Sequence, residues 1–120
     1  MQPAKYDLNA KAGTTFRKVF TYEDPNGDPM DFSGYSARMQ LRAAYEDPAV
    51  VLELTTENGR IEFGPDAGQL SLYIADGDTT PLAPDYIKVN YVYDLELVAP
   101  NDDVLSPLYG KFIVKPEVTR

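Results

Sequence analysis

The chain contains no cysteine and no histidine. Without thiols there is no disulfide scaffold, no thiol nucleophile and no cysteine-ligated metal site. Without imidazole, Ser-His-acid and Cys-His catalysis are both removed. A metal is then left with oxygen ligands, which suit calcium and serve catalytic zinc poorly. Tryptophan is missing too, although there are nine tyrosines and five phenylalanines. No stretch approaches the roughly 18 consecutive apolar residues that a membrane helix needs. The opening Met-Gln-Pro-Ala-Lys lacks the apolar core of an export signal, so a chain soluble as synthesised, with no membrane partner, is expected. Basic residues are scarce, 11 against 19 acidic ones, for a formal charge of −8. A phosphate-binding surface would have to stand against that field, and nucleic acid is not expected as a partner.

What is present fits one β domain. A chain of 120 residues, 43% hydrophobic, can bury one core without disulfides or metal but is too short for two ordinary cores. A single domain over residues 1–120 is expected. Residues 91–98 divide into Tyr91, Tyr93, Leu95 and Leu97 on one face and Val92, Asp94, Glu96 and Val98 on the other, the period-two pattern of a strand with one core face. Similar reasoning predicts strands at 5–10, 15–22, 35–42, 50–54, 60–63, 69–74, 88–98 and 105–114. In the second of these Phe16 and Phe20 share a face, whereas Lys18 and Val19 blur the alternation, as in an edge strand. Asn26-Gly27 and Asn58-Gly59 suit tight turns. Pro107 marks an edge, a strand start or a bulge. Residues 75–85 form a polar crossover, with one helical turn near 79–83. The set predicts an all-β, immunoglobulin-like antiparallel β-sandwich of about eight short strands, with a small barrel as the structural alternative. In layout, Leu70 to Ile74, the crossover and Tyr91-Val92-Tyr93 resemble the late strands of immunoglobulin-like domains, where a corner tyrosine would be Tyr91 or Tyr93.

Candidate chemistry is sparse. Asp76, Asp78 and Asp85 lie in one loop, but Asp76-Gly77-Asp78 lacks the length and closing glutamate of a calcium loop, and a solvated turn is the preferred reading. Asp94 and Glu96 share a strand face about 7 Å apart, a spacing some carboxylate enzymes use. A flat face has no cleft to raise one pKa, so pairing with Arg38, Arg42 or Lys111 on neighbouring strands is preferred. No enzyme activity, cofactor or metal is expected. Arginine suits bidentate interface contacts and tyrosine supplies apolar area with a polar tip. These tyrosines are too many for a small core, and either a protein partner or a carbohydrate would use the same chemistry.

Four stretches together resemble small tail-associated structural proteins of tailed bacteriophages and prophages. They are Gly34-Tyr35-Ser36-Ala37-Arg38-Met39-Gln40-Leu41-Arg42, Leu54-Thr55-Thr56-Glu57-Asn58-Gly59-Arg60-Ile61, Tyr93-Asp94-Leu95-Glu96-Leu97, and Gly110-Lys111-Phe112 followed by Pro116-Glu117-Val118-Thr119-Arg120. More distantly, the chain is similar to the amino-terminal domain of the upper baseplate protein of some siphophages. The resemblance implies a virion structural protein, a tail, baseplate or fibre-attachment adaptor, present in multiple copies in a symmetric assembly with other tail or baseplate proteins. It implies residence in the virion, and in the host cytoplasm before assembly. Arg38, Arg42, Tyr45, Tyr109 and Arg120 are the expected partner-facing residues. A carbohydrate-binding β-sandwich module is the alternative.

Overall fold

A computed structural model describes residues 3–120. Two β-sheets face one hydrophobic core. The strands are β1 (Ala4–Lys5), β2 (Leu8–Lys11), β3 (Phe16–Thr21), β4 (Ser36–Arg42), β5 (Leu52–Thr55), β6 (Ile61–Phe63), β7 (Gln69–Ile74), β8 (Val89–Val98) and β9 (Val104–Lys115). A six-stranded sheet runs β1-β9-β8-β4-β5, with β2 also lying on β9, and a three-stranded sheet runs β3-β7-β6. The predicted two-sheet all-β architecture is therefore present. The expected short strands match the observed ones closely, because each carries the alternation that one buried face demands.

Alternation places the core. On β8, Tyr91, Tyr93, Leu95 and Leu97 are buried, opposite the buried Met39 and Leu41 of β4 and the buried Leu108 and Phe112 of β9. The small sheet contributes Phe16, Ile61, Leu70, Leu72 and Ile74. Phe16 meets Phe112 of the large sheet edge to face, their ring centroids 5.1 Å apart. Such pairs add about 0.5–1.5 kcal/mol beyond the area they bury.

Two expectations need correction. The sheets are not antiparallel throughout, since β1 and β2 both run parallel to β9. Parallel neighbours need a long connection, and strands from the two ends of the chain have nearly the whole domain between them. The first strand is also two strands, which makes nine among the described residues rather than about eight. Register on β9 is the same before and after the break, Lys5 opposite Tyr109 and Leu8 opposite Phe112. In between, Asp7 substitutes its side chain for backbone, with Oδ1 accepting the Lys111 N–H at 3.0 Å. The Tyr6 carbonyl is thereby released to accept the Tyr93 hydroxyl at 2.6 Å. Gly110, opposite Tyr93, permits this: a Cβ there would collide with the Tyr6 carbonyl.

Local predictions fare similarly. Leu95 pairs with Leu108 and Leu97 with Leu105, so Ser106 and Pro107 together oppose Glu96 in a bulge. That position tolerates a residue lacking an N–H. The crossover has one helical turn, α1 (Asp76–Thr79), and a 3-10 turn (Thr80–Leu82), starting three residues before the expected site. Fully buried Thr79 donates from Oγ1 to the Thr14 carbonyl at 2.8 Å. The buried Tyr91 hydroxyl donates to the Leu82 carbonyl at 2.6 Å, fastening the crossover to β8. Tyr35 lies just outside β4 and packs on the core from the preceding turn.

Candidate functional site

The outward face of the large sheet collects most of the nominated residues. Because Met39 and Leu41 point inward, Arg38, Gln40 and Arg42 of β4 point outward, opposite Glu96, Asp94 and Val92 of β8. Tyr109 of β9 lies opposite Asp94 on the far side of β8. Arg38 Nε meets Glu96 Oε1 at 2.8 Å, the cross-strand pairing expected of these charges. Their side chains are 52% and 34% exposed, so the pair contributes little to stability, about 0–1 kcal/mol.

Arg42 is held more firmly. Nη1 donates to the carbonyls of Asp47 (3.0 Å) and Pro48 (2.6 Å), and Nη2 to Gln40 Oε1 at 2.8 Å. Gln40 Nε2 in turn donates to Glu53 Oε2 at 2.7 Å. Arg42 therefore ties the 43–51 loop to the sheet, and that loop carries Tyr45, 71% exposed. Tyr45, Gln40, Arg42, Val92 and Asp94 line a shallow depression of about 150 Å3. Asp94 makes no hydrogen bond with its carboxylate among the described residues. Partial desolvation, followed by the neighbouring Glu96 carboxylate, pushes its pKa up, against the opposing pull of Arg42 and Arg38. Asp94 and Glu96 stand side by side on an open sheet, not across a cleft. The arrangement offers a flat polar surface with guanidinium, carboxylate and phenol groups at fixed positions.

Arg120 is not part of this face. Beyond the end of β9 its guanidinium lies 4.2 Å from the centroid of the Tyr86 ring. In the crossover, Asp78 Oδ2 is engaged by Arg60 Nη2 at 3.0 Å, so a structural partner already accounts for one of the carboxylates weighed as calcium ligands. Four of the five nominated residues thus share one surface, and one stands apart.

Sequence reasoning missed the contrast between the two flanks where the sheets meet. On one flank, the 56–60 turn caps the free edge of β5. Asn58 Nδ2 and Arg60 Nη1 both donate to the Glu53 carbonyl at 3.0 Å, and Asn58 Oδ1 accepts the Thr55 N–H at 3.0 Å. On the other flank, β3 is an edge strand with no such cap among the described residues. Its Lys18, opposite Leu72, points to the core side between Phe16 and Phe20. Its ammonium lies 5.1 Å from the Tyr6 ring centroid and 5.7 Å from that of Phe20. The broken alternation at Lys18 was the one sequence signal of this feature.

Compared with known proteins, the chain matches no protein-family model and no curated protein sequence.

Proposed function

We propose that this chain is a structural protein of a tailed-bacteriophage virion, an adaptor subunit of the tail, baseplate or fibre-attachment region. The observation that carries the reading is the gathering of Arg38, Arg42, Tyr45 and Tyr109 on one open sheet face. Arginine and tyrosine are the residue types that dominate binding energy in protein interfaces. A flat face suits a broad protein contact better than a small ligand, which favours concave sites. Its partners are other tail or baseplate proteins, met in multiple copies. Repetition by symmetry multiplies a modest contact into a stable one. The protein resides in the virion, and in the host cytoplasm before assembly.

We also infer an immunoglobulin-like form of the sandwich. Supporting it are the strand orders β9-β8-β4-β5 and β3-β7-β6, which match the G-F-C-C′ and B-E-D orders of variable-type domains. The Tyr91 hydroxyl on the Leu82 carbonyl, from the penultimate strand to backbone upstream, is the arrangement of a tyrosine corner.

Cryo-electron microscopy of the native particle tests the function. Density for the chain in the tail, with the Arg38-Tyr109 face against a neighbouring protein, is the expected result. Its absence from purified particles, or that whole face turned to solvent, overturns the reading. Carbohydrate binding through Tyr45 would instead appear on a glycan array as a signal lost in Tyr45→Ala.

A further inference from the structure

We infer that the free edge of β3 is a docking site for an extended, acidic strand of another protein, added antiparallel or parallel to the three-stranded sheet. This edge is independent of the Arg38-Tyr109 face, and of which assembly the protein serves. Tyr22 N–H bonds the Gly68 carbonyl at 2.8 Å, and register then makes Phe16, Lys18 and Phe20 the residues of β3 that bond to β7. By antiparallel alternation Arg17, Val19 and Thr21 direct their N–H and C=O groups away from the sheet, to a side where no strand lies among the described residues. All three are exposed. A crevice of about 360 Å3 opens beside this edge, between β2 and β3. The 12–15 turn connects the strands at one end, and the edge-to-face contact of Tyr6 with Phe20, centroids 5.5 Å apart, bridges the sheets further along.

The charge of this crevice identifies its occupant. The protein as a whole is strongly acidic, yet Lys11, Arg17 and Lys18 line the crevice, with Asp7 as the one carboxylate among the described residues. The Arg17 side chain stands on the outer face of β3, its guanidinium 4.6 Å from the Tyr73 ring centroid, where it faces the outward side chains of an added strand. Among the described residues none of these three cations forms an ion pair, and Asp7 turns Oδ1 to the Lys111 N–H on β9. Lys18 adds selectivity. An inward-pointing charge on an edge strand opposes pairing with a purely apolar strand, because addition would cover an ammonium that has aromatic faces but no anion beside it. A strand bringing a carboxylate to that position removes the penalty, so the same lysine rejects one class of partner and accepts another. Main-chain bonds to the edge then supply affinity, as in other strand-addition complexes.

The probe is a capped nine-residue peptide of alternating threonine and valine with a central glutamate, compared with its twins carrying lysine or valine at the centre. Binding to the intact protein is read by fluorescence anisotropy, and its location by amide exchange. The glutamate peptide should bind at least tenfold more tightly than the lysine twin and slow exchange at Arg17, Val19 and Thr21. Val19→Pro removes an outward N–H that makes no bond to β7, so the fold should survive and binding should fall at least tenfold. Lys18→Met should abolish the preference for glutamate over valine, while the exposed pair Lys11→Glu and Arg17→Glu weakens the glutamate peptide alone. Equal affinity for all three peptides, no binding by any of them, or protection mapping to β5 or to the outer face of the large sheet would each overturn the inference. So would a ten-nucleotide oligo-dT binding as tightly as the glutamate peptide and resisting Val19→Pro.

Discussion

The two flanks of the sandwich handle the same problem in opposite ways. On the β5 side, unpaired backbone at the sheet edge is taken up by Asn58 and Arg60 from the adjoining turn, and Arg60 is braced by Asp78. On the β3 side, ring packing fastens the sheets together through Phe16 on Phe112 and Tyr6 on Phe20, but among the described residues the strand edge itself is left open. An open edge is ordinarily a liability, and natural proteins blunt it with charge. Here a single inward lysine does so, without removing the hydrogen-bonding groups. The difference separates an edge closed for stability from one guarded for recognition.

The largest effect that would sharpen this comparison belongs to the open flank. Phe16→Ala should cost about 3–5 kcal/mol in chemical denaturation, because the ring joins both sheets and its removal leaves a cavity. A loss under about 1 kcal/mol would show that the flank is held by something other than ring packing. Tyr93→Phe comes next, at about 1–2 kcal/mol, since the Tyr6 carbonyl loses its donor. Its pH dependence has a defined sign. Burial, then the nearby Tyr22, Asp7 and Tyr6, raise the Tyr93 pKa above its ordinary value of 10.0. The folded state therefore holds the phenol proton more tightly than the unfolded chain. The resulting stability is fully present below pH 10 and is lost as pH rises further. Tyr93→Phe should flatten part of that alkaline decline, and an unchanged decline would contradict the assignment. Burial raises the pKa values of Tyr22 and Tyr91 likewise, so the remainder should persist.

On the closed flank the effects are smaller. Asn58→Ala should cost about 1 kcal/mol, because the hydrogen bonds it removes are exposed to water. Arg60→Ala should cost less than about 1 kcal/mol by the same measurement, its ion pair with Asp78 being partly solvated. If either variant lost as much as Phe16→Ala, the two flanks would not differ in kind.

Most strands were legible because a sheet with one buried face writes a period of two into the chain. The 91–98 and 35–42 segments are the clearest instances, and their outward residues could be named from sequence alone. The break between β1 and β2 was not legible. It depends on Gly110 and Tyr93, about a hundred positions away, which draw the Tyr6 carbonyl out of the ladder. Parallel pairing with β9 escaped for a related reason, since alternation reports which face is buried and not which strand lies alongside. Arg38, Arg42 and Tyr109 met on one face because strand parity is readable, and Tyr45 joined them because Arg42 ties its loop to that face. Arg120 did not, because nothing in the local pattern revealed that the segment after β9 folds back to Tyr86. Lys18 was visible as a fault in a pattern, but its meaning required knowing that β3 is an edge.

Amide hydrogen exchange of the isolated protein, resolved by residue, tests the contrast most directly. An open β3 edge beside a capped β5 edge predicts fast exchange at Arg17, Val19 and Thr21 and slow exchange at Thr55, with Asn58→Ala converting Thr55 to fast exchange while leaving β3 unchanged. Protection of Arg17, Val19 and Thr21 equal to that of Thr55, or a Thr55 amide indifferent to Asn58→Ala, would contradict it.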